Sequence, residues 1–286
     1  MLSRTVAFVI ASLSLLCMSL SFAADKNMQT LLRRANQNDV QAQFYLGNVY
    51  ANGLGVAKNP QKAAYWYKKA AEQGKPGAQY NLGLLYANGE GVPQSDELAV
   101  HWYRKAAEND LANAQNSLGT ACYTGKGIRQ DFQNAVYWWK KAAHQGYADA
   151  QYNLGIAYYN GKGVLQNDQT AIQWFHKAAD AGNAKAQYSL GFASLTGRGT
   201  SHNLQQAAQW FRKAARQELP EALYALGTLY ANAKNHPENR IAAHVLFNRA
   251  AVTQAEAADA LKALEEDMTA EQIEKARTLT PEDILQ

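Results

Sequence analysis

Two cysteines and six histidines are the side chains best suited to nucleophilic, acid–base or metal chemistry in this sequence. Cys17 falls in an N-terminal apolar run, which leaves Cys122 alone, and it reads as a small buried hydrophobe. A thiol does nucleophilic work only when a neighbour holds it as thiolate. His101, His144, His176, His202, His236 and His244 share no spacing that would converge on a metal, and they read as surface substitutions. His-Glu-x-x-His, Cys-x-x-Cys and Gly-x-Ser-x-Gly are all missing from the sequence. Five Gly-x-Gly triplets (Gly53–Gly55, Gly89–Gly91, Gly125–Gly127, Gly161–Gly163, Gly197–Gly199) invite a phosphate-cradle reading. A cradle follows a strand and opens a helix, whereas these recur between helical patterns and read as turns. Asp and Glu appear mainly at caps, so no catalytic group, cofactor site or metal site is expected.

What remains is recognition chemistry carried by aromatic rings and amides in three columns. The first holds Phe44, Tyr80, Asn116, Tyr152, Tyr188 and Tyr224. The second holds Asn48, Leu84, Thr120, Ile156, Phe192 and Thr228, and the third Asn52, Asn88, Thr124, Asn160, Thr196 and Asn232. Tyr123 and Tyr159 lie close by. The candidate partner-binding set is Tyr80, Leu84, Asn88, Tyr123, Tyr152, Ile156, Tyr159, Asn160, Tyr188, Phe192 and Tyr224. Rings supply contact area and Asn amides supply donors and acceptors, a combination suited to the backbone of an extended peptide. Two readings of the tyrosines stay open: groove surface, or packing between neighbouring helices.

The columns exist because the chain repeats. A common pattern begins at Ala42, Ala78, Ala114, Ala150, Ala186 and Ala222, every 36 residues, and a period of this size signals stacked supersecondary units. In each copy Ala42, Leu46, Gly47 and Tyr50, or their equivalents, mark one face of a helix A. Glycine inside a helix costs roughly 1 kcal/mol against alanine, so the recurring Gly47 column predicts a close neighbour. Helix B carries the apolar stripe Ala63, Trp66, Tyr67, Ala70 and Ala71, and the Trp column (Trp66, Trp102, Trp138, Trp174, Trp210) is expected to be core. Asn59, Ser95, Asp131, Asn167, Asn203 and Asn239 precede helix B as expected N-caps. Asn38, Gly74, Asp110, Gly146, Gly182 and Glu218 follow it as expected left-handed closers.

The runs Ala-Gln-Tyr-Asn-Leu-Gly-x-x-Tyr-x-x-Gly-x-Gly-Val and Ala-x-x-Trp-aromatic-x-Lys-Ala-Ala, at this period, resemble Sel1-like repeats, a branch of the tetratricopeptide superfamily. The resemblance covers about residues 36–252. It implies an all-α, right-handed α/α solenoid of six helix pairs with N- and C-terminal capping helices, whose A helices line a concave groove. It also implies a non-catalytic scaffold, adaptor or regulator that binds a protein or peptide partner. Two alternatives stand beside it: a weak hydrolase or cell-wall/β-lactam binder like the cysteine-rich relatives, whose paired cysteines this chain lacks, and a secreted factor acting on a host.

Residues 1–23 read as a cleaved signal peptide, with Arg4 before the apolar stretch Val6 to Leu20 and the small-x-small site Ser21-Phe22-Ala23. The apolar run is shorter than the ~20 residues a membrane span needs. The expected location is therefore periplasmic or secreted, with no membrane span after cleavage. The expected divisions are a capping helix at 24–41, repeats at 42–77, 78–113, 114–149, 150–185, 186–221 and 222–252, and capping helices at 253–286. In the tail, Thr269 to Gln272 forms an expected capping box and Pro281 an expected stop. The formal net charge is +4, too small to argue for nucleic acid. The basic pairs near each helix B end (Lys68-Lys69 and its equivalents) are placed where cations favour the helix dipole.

Overall fold

The computed structural model describes residues 27–233 and 237–286; the expected signal peptide at 1–23 and His236 lie outside the described residues. The chain divides into two compact units that meet in sequence between Asp131 and Phe132. The first unit contains α1 (27–36), α2 (Val40–Asn52), α3 (Pro60–Glu72), α4 (Pro76–Asn88), α5 (Asp96–Glu108) and α6 (Ala112–Thr124). The second contains α7 (Phe132–His144), α8 (Ala148–Asn160), α9 (Asp168–Asp180), α10 (Ala184–Thr196), α11 (Leu204–Ala215), α12 (Pro220–Asn232) and α13 (Pro237–Ala250). It ends with α14 (Ala255–Glu266), α15 (Ala270–Arg277) and α16 (Pro281–Leu285). Every described element is a helix, and in each unit neighbours in sequence pack on one another, each helix A most closely on the B that follows it.

Local chemistry sets the helix limits. Asn59, Ser95, Asn167 and Asn203 each accept a hydrogen bond from the backbone N–H three residues on. Asn239 departs from that column: α13 begins at Pro237, so Asn239 lies inside the helix, and its amide donates back to the Ala233 carbonyl at 3.4 Å. All six closers have positive φ, including the non-glycines Asn38 (63°), Asp110 (57°) and Glu218 (60°). In four of the five loops, all but that of Gly55, the second glycine sits against the N-terminus of a neighbouring B helix. A Cβ on Gly91 would stand 2.3 Å from the Pro60 carbonyl, and one on Gly163 2.1 Å from that of Phe132.

The core is layered by column. Leu46, Leu82, Leu118, Leu154, Leu190 and Leu226 are buried, as are the alanines around them. The helix A glycine is needed because the second aromatic of helix B lies across it. A Cβ on Gly47, Gly155 or Gly191 would stand 2.3, 2.5 or 2.5 Å from the ring of Tyr67, Phe175 or Phe211. That second aromatic, rather than the tryptophan, fills the deepest place. Trp66, Trp102 and Trp138 are buried, but Trp174 and Trp210 are only half-buried, which corrects the expectation that the whole Trp column is core. Lysines three residues on cover the exposed ring faces, with Lys177 4.2 Å from the Trp174 centroid and Lys213 4.1 Å from that of Trp210. These are cation–π contacts, a role for the basic column beyond the helix dipole.

A buried glutamine column joins successive repeats. Gln43, Gln79, Gln115, Gln151 and Gln187 each donate from Nε2 to a carbonyl at the end of the preceding helix B (Ala35, Ala71, Ala107, Ala143 and Ala179), at 3.0–3.3 Å. An apolar replacement would leave those carbonyls buried and unpaired.

Both ends are capped. At the start, Ala35 of α1 is buried with Ala42, Leu46 and Trp66, and Met28, Leu31 and Leu32 pack on that cluster. At the end, α14, α15 and α16 all pack on α13. The Thr269–Gln272 capping box opens α15. The helix α15 stops at Arg277, ahead of Pro281, which does more than mark that end. Pro281 opens α16, whose Leu285 is buried in one cluster with Phe211 and Leu246, and whose Leu285 carbonyl accepts from Arg216 Nε at 2.8 Å. His244 is also not a surface residue. It is 4% exposed, and its Nε2 lies 2.8 Å from Glu265 Oε1, tying α13 to α14.

Candidate functional site

In the second unit, α8, α10 and α12 position Tyr152, Tyr188 and Tyr224. Each of these half-buried rings packs on the deep aromatic of its own repeat: Phe175 at 5.9 Å, Phe211 at 5.5 Å and Phe247 at 5.6 Å between centroids. Burial pushes the Tyr152 and Tyr188 hydroxyls above the usual tyrosine range. These tyrosine rings thus brace their repeats.

The adjoining column is more open. Ile156 is half-buried, Phe192 is 44% exposed and Asn160 is exposed. Tyr159 is held in place by its neighbours. The Arg198 guanidinium carbon lies 3.5 Å from its ring centroid, while Arg198 donates to the Tyr159 carbonyl at 2.6 Å and to both carboxylate oxygens of Asp168 at 3.0 and 2.9 Å. Those bonds from Arg198 hold the Asp168 carboxyl below the usual carboxylate range.

In the first unit, Tyr80 on α4 packs on Tyr103 of α5 at 5.7 Å, and Phe44 packs on Tyr67 at 6.1 Å. Leu84 and Tyr123 are half-buried, and exposed Asn88 donates to Glu90 at 3.1 Å. The predicted residues therefore form two sets, Tyr80, Leu84, Asn88 and Tyr123 in this unit and the other seven in the second. A cavity of about 310 Å³ opens beside Tyr103, between α5 and α6. A larger one, about 600 Å³, lies at the start of the described chain between α1, α2 and the first loop.

Bond-making chemistry finds little support among the described residues. Cys122 is 1% exposed, and burial pushes its thiol above the usual range, away from the thiolate that reacts. No three His, Cys, Asp or Glu side chains gather there as a metal site would require. Sequence reasoning missed the glutamine staples and the lysine–tryptophan stacks. Their signal was present in the repetition: the same Gln follows Ala42, Ala78, Ala114, Ala150 and Ala186, and a Lys stands three places after Trp102, Trp138, Trp174 and Trp210.

Comparison with known proteins gives concordant results. The family described as Sel1 repeat matches residues 40–75, 76–111, 112–147, 148–183, 184–219 and 220–251. The chain is similar to the crystal structure of a protective antigen of uropathogenic Escherichia coli strains displaying an SLR fold, at 34% identity and a TM-score of 0.77. That match covers 87% of this chain and 54% of the antigen, so this chain spans about half the antigen's length. It is also similar to a Sel1 repeat protein from Oxalobacter formigenes, at 30% identity and a TM-score of 0.70, over 81% of this chain and 95% of that one. None of the curated proteins matches.

Proposed function

This chain belongs to the Sel1 repeat family, whose members are generally protein-interaction scaffolds, and from that premise we propose that it is a non-catalytic adaptor that binds an extended protein segment along its A helices. One observation carries the reading: the Asn48–Thr228 column. None of its six members is buried, yet Leu84, Ile156 and Phe192 are among them. The Leu46 column, one helical face away, is buried throughout. Apolar side chains left open on a regular face fit a partner surface better than a core. The exposed Asn88 and Asn160 add amides that can pair with a peptide backbone.

The location we propose is the bacterial envelope, periplasmic or secreted. The reading of residues 1–23 as an export signal supports it. No helix among the described residues is long and apolar enough to cross a membrane.

The test uses a substitution that leaves the braced tyrosines alone. Phe192→Asp changes an exposed position, so the variant keeps its helical circular dichroism and melting temperature. Affinity capture from the native envelope is expected to recover a specific protein with the wild type and lose it with this variant. Equal recovery by both would move the site off the A helices.

A further inference from the structure

The cavity between α5 and α6 is unusual within this molecule because the corresponding place in the second unit is filled. The repeats allow a position-by-position comparison. Where the first unit has Ala87, Asn116, Thr120 and Lys126, the second has Tyr159, Tyr188, Phe192 and Arg198. In the second unit the Tyr159 ring sits 6.2 Å from Phe175, the counterpart of Tyr103, under the Arg198 guanidinium. In the first unit Ala87 ends at its methyl group, and about 310 Å³ stays open against Tyr103, Ala99, Val100 and Ala121. That is the lower end of the range for binding pockets, a size for one side chain rather than a whole ligand.

A second, independent feature points to an occupant. Tyr103 is 8% exposed and lines the cavity. Its counterpart Tyr67 donates its hydroxyl to Asn48 Oδ1 at 2.8 Å. For Tyr103 the corresponding residue is Leu84, which offers no acceptor, and the Tyr103 hydroxyl makes no hydrogen bond. That oxygen is not sealed from solvent, so it is free to pair with an incoming group. At the rim, Thr120 and Thr124 donate to carbonyls of their own helix at 3.0 and 2.9 Å, which leaves their oxygen lone pairs as acceptors. Lys126 reaches Asp96 at 3.1 Å, the pairing that Arg198 makes with Asp168 while covering a ring.

We propose that this cavity is the anchor subsite of the A-helix face and takes the phenol ring of a tyrosine in the partner segment. The proposal rests on the peptide-binding reading above and names the residue that reading leaves open. The tyrosine ring occupies the place that Tyr159 fills in the second unit, Lys126 lies over it as Arg198 does there, and its hydroxyl pairs with that of Tyr103. Phenylalanine would fit the walls but offer the Tyr103 hydroxyl no partner.

The experiment titrates N-acetyl-tyrosinamide into the isotope-labelled protein and follows the methyl resonances of Ala87, Val100 and Ala121. N-acetyl-phenylalaninamide and N-acetyl-alaninamide serve as comparisons. The expected result is saturable shifts at these methyls, with the tyrosine amide binding more tightly than phenylalanine and alanine weaker still. The Ala87→Tyr/Thr120→Phe variant, which rebuilds the filling of the second unit, should weaken binding at least tenfold. Thr120→Phe alone, at an exposed position, serves where the pair disturbs folding. Absent shifts with the tyrosine amide, or shifts that persist in both filled variants, overturn the proposal. Peptides selected on the wild type by display separate it from the broader reading. If they bind without tyrosine, survive Thr120→Phe and are lost with Phe192→Asp, the A-helix face stands and the anchor falls.

Discussion

A Cβ at position 191 would lie 2.5 Å from the Phe211 ring, and Phe211 is fully buried. Gly191→Ala gains roughly 1 kcal/mol of helix propensity. Forcing a methyl into a packed core costs roughly 1–3 kcal/mol, and a contact this short belongs at the upper end. The expected outcome is a net loss of about 1–2 kcal/mol in urea unfolding. Phe211→Leu, which withdraws the ring, should reduce the cost of Gly191→Ala in a double-mutant cycle; strictly additive effects would contradict the packing account. At this scale much was legible from the chain alone. A repeated helix-interior glycine announces a close neighbour, although not which ring it meets. Tyr67 and Phe211 stand beside Trp66 and Trp210 in sequence, and which of two adjacent aromatics turns inward depends on the rotation of helix B, which periodicity leaves loose by one residue. His244 was illegible for a different reason: its partner Glu265 lies on another helix.

Helix pairs are held in register by the glutamine column, and its gaps can be tested. Gln43 and Gln187 accept from Gln73 and Gln217 at 2.7 and 2.9 Å, so both ends of those amides are used. Gln151 Oε1 is buried without a partner, and Ala181 stands at the position equivalent to Gln73 and Gln217. Ala181→Gln should supply the missing donor. A typical intramolecular hydrogen bond contributes about 1 kcal/mol net, so the melting temperature should rise by about 2–4 °C; an unchanged or lowered value would remove the staple from the account. Helix limits were readable wherever a capping residue acts locally, as at Asn59 and Thr269. Asn239 misled because the same residue type serves on either side of a helix boundary, and Pro281, past the end of α15, gave no sign of the further helix it opens.

For the whole chain, the 36-residue period made the repeat architecture plain, since one copy cannot bury its own apolar face and must stack on the next. The period is silent where it stops, and the tail shows why. Leu285 joins the cluster of Phe211 and Leu246, and Met268 and Ala276 are buried with Ile241 and Val245. Burying a single leucine contributes roughly 1.5–3 kcal/mol. Ending the chain after Glu266 should therefore lower stability by at least roughly 3 kcal/mol and promote self-association through the bared face of α13. A truncated chain that melts like the full one would deny α15 and α16 their capping role. The proposed binding face was only partly legible: its columns follow from the helical repeat, but the division between braced tyrosines, half-buried Ile156 and exposed Phe192 depends on the packing of Phe175 and Phe211.

The most direct measurement places a photo-crosslinking phenylalanine at position 192, in living cells, with the same residue at position 137 as comparison. Phe192 and Tyr137 are similarly exposed, at 44% and 51%, but Tyr137 lies on a B helix. A partner that binds along the A helices is captured from position 192, is not captured from position 137, and is lost when Ile156 becomes Asn. Capture from position 137 alone, or from both positions equally, would contradict the A-helix face as the site of recognition.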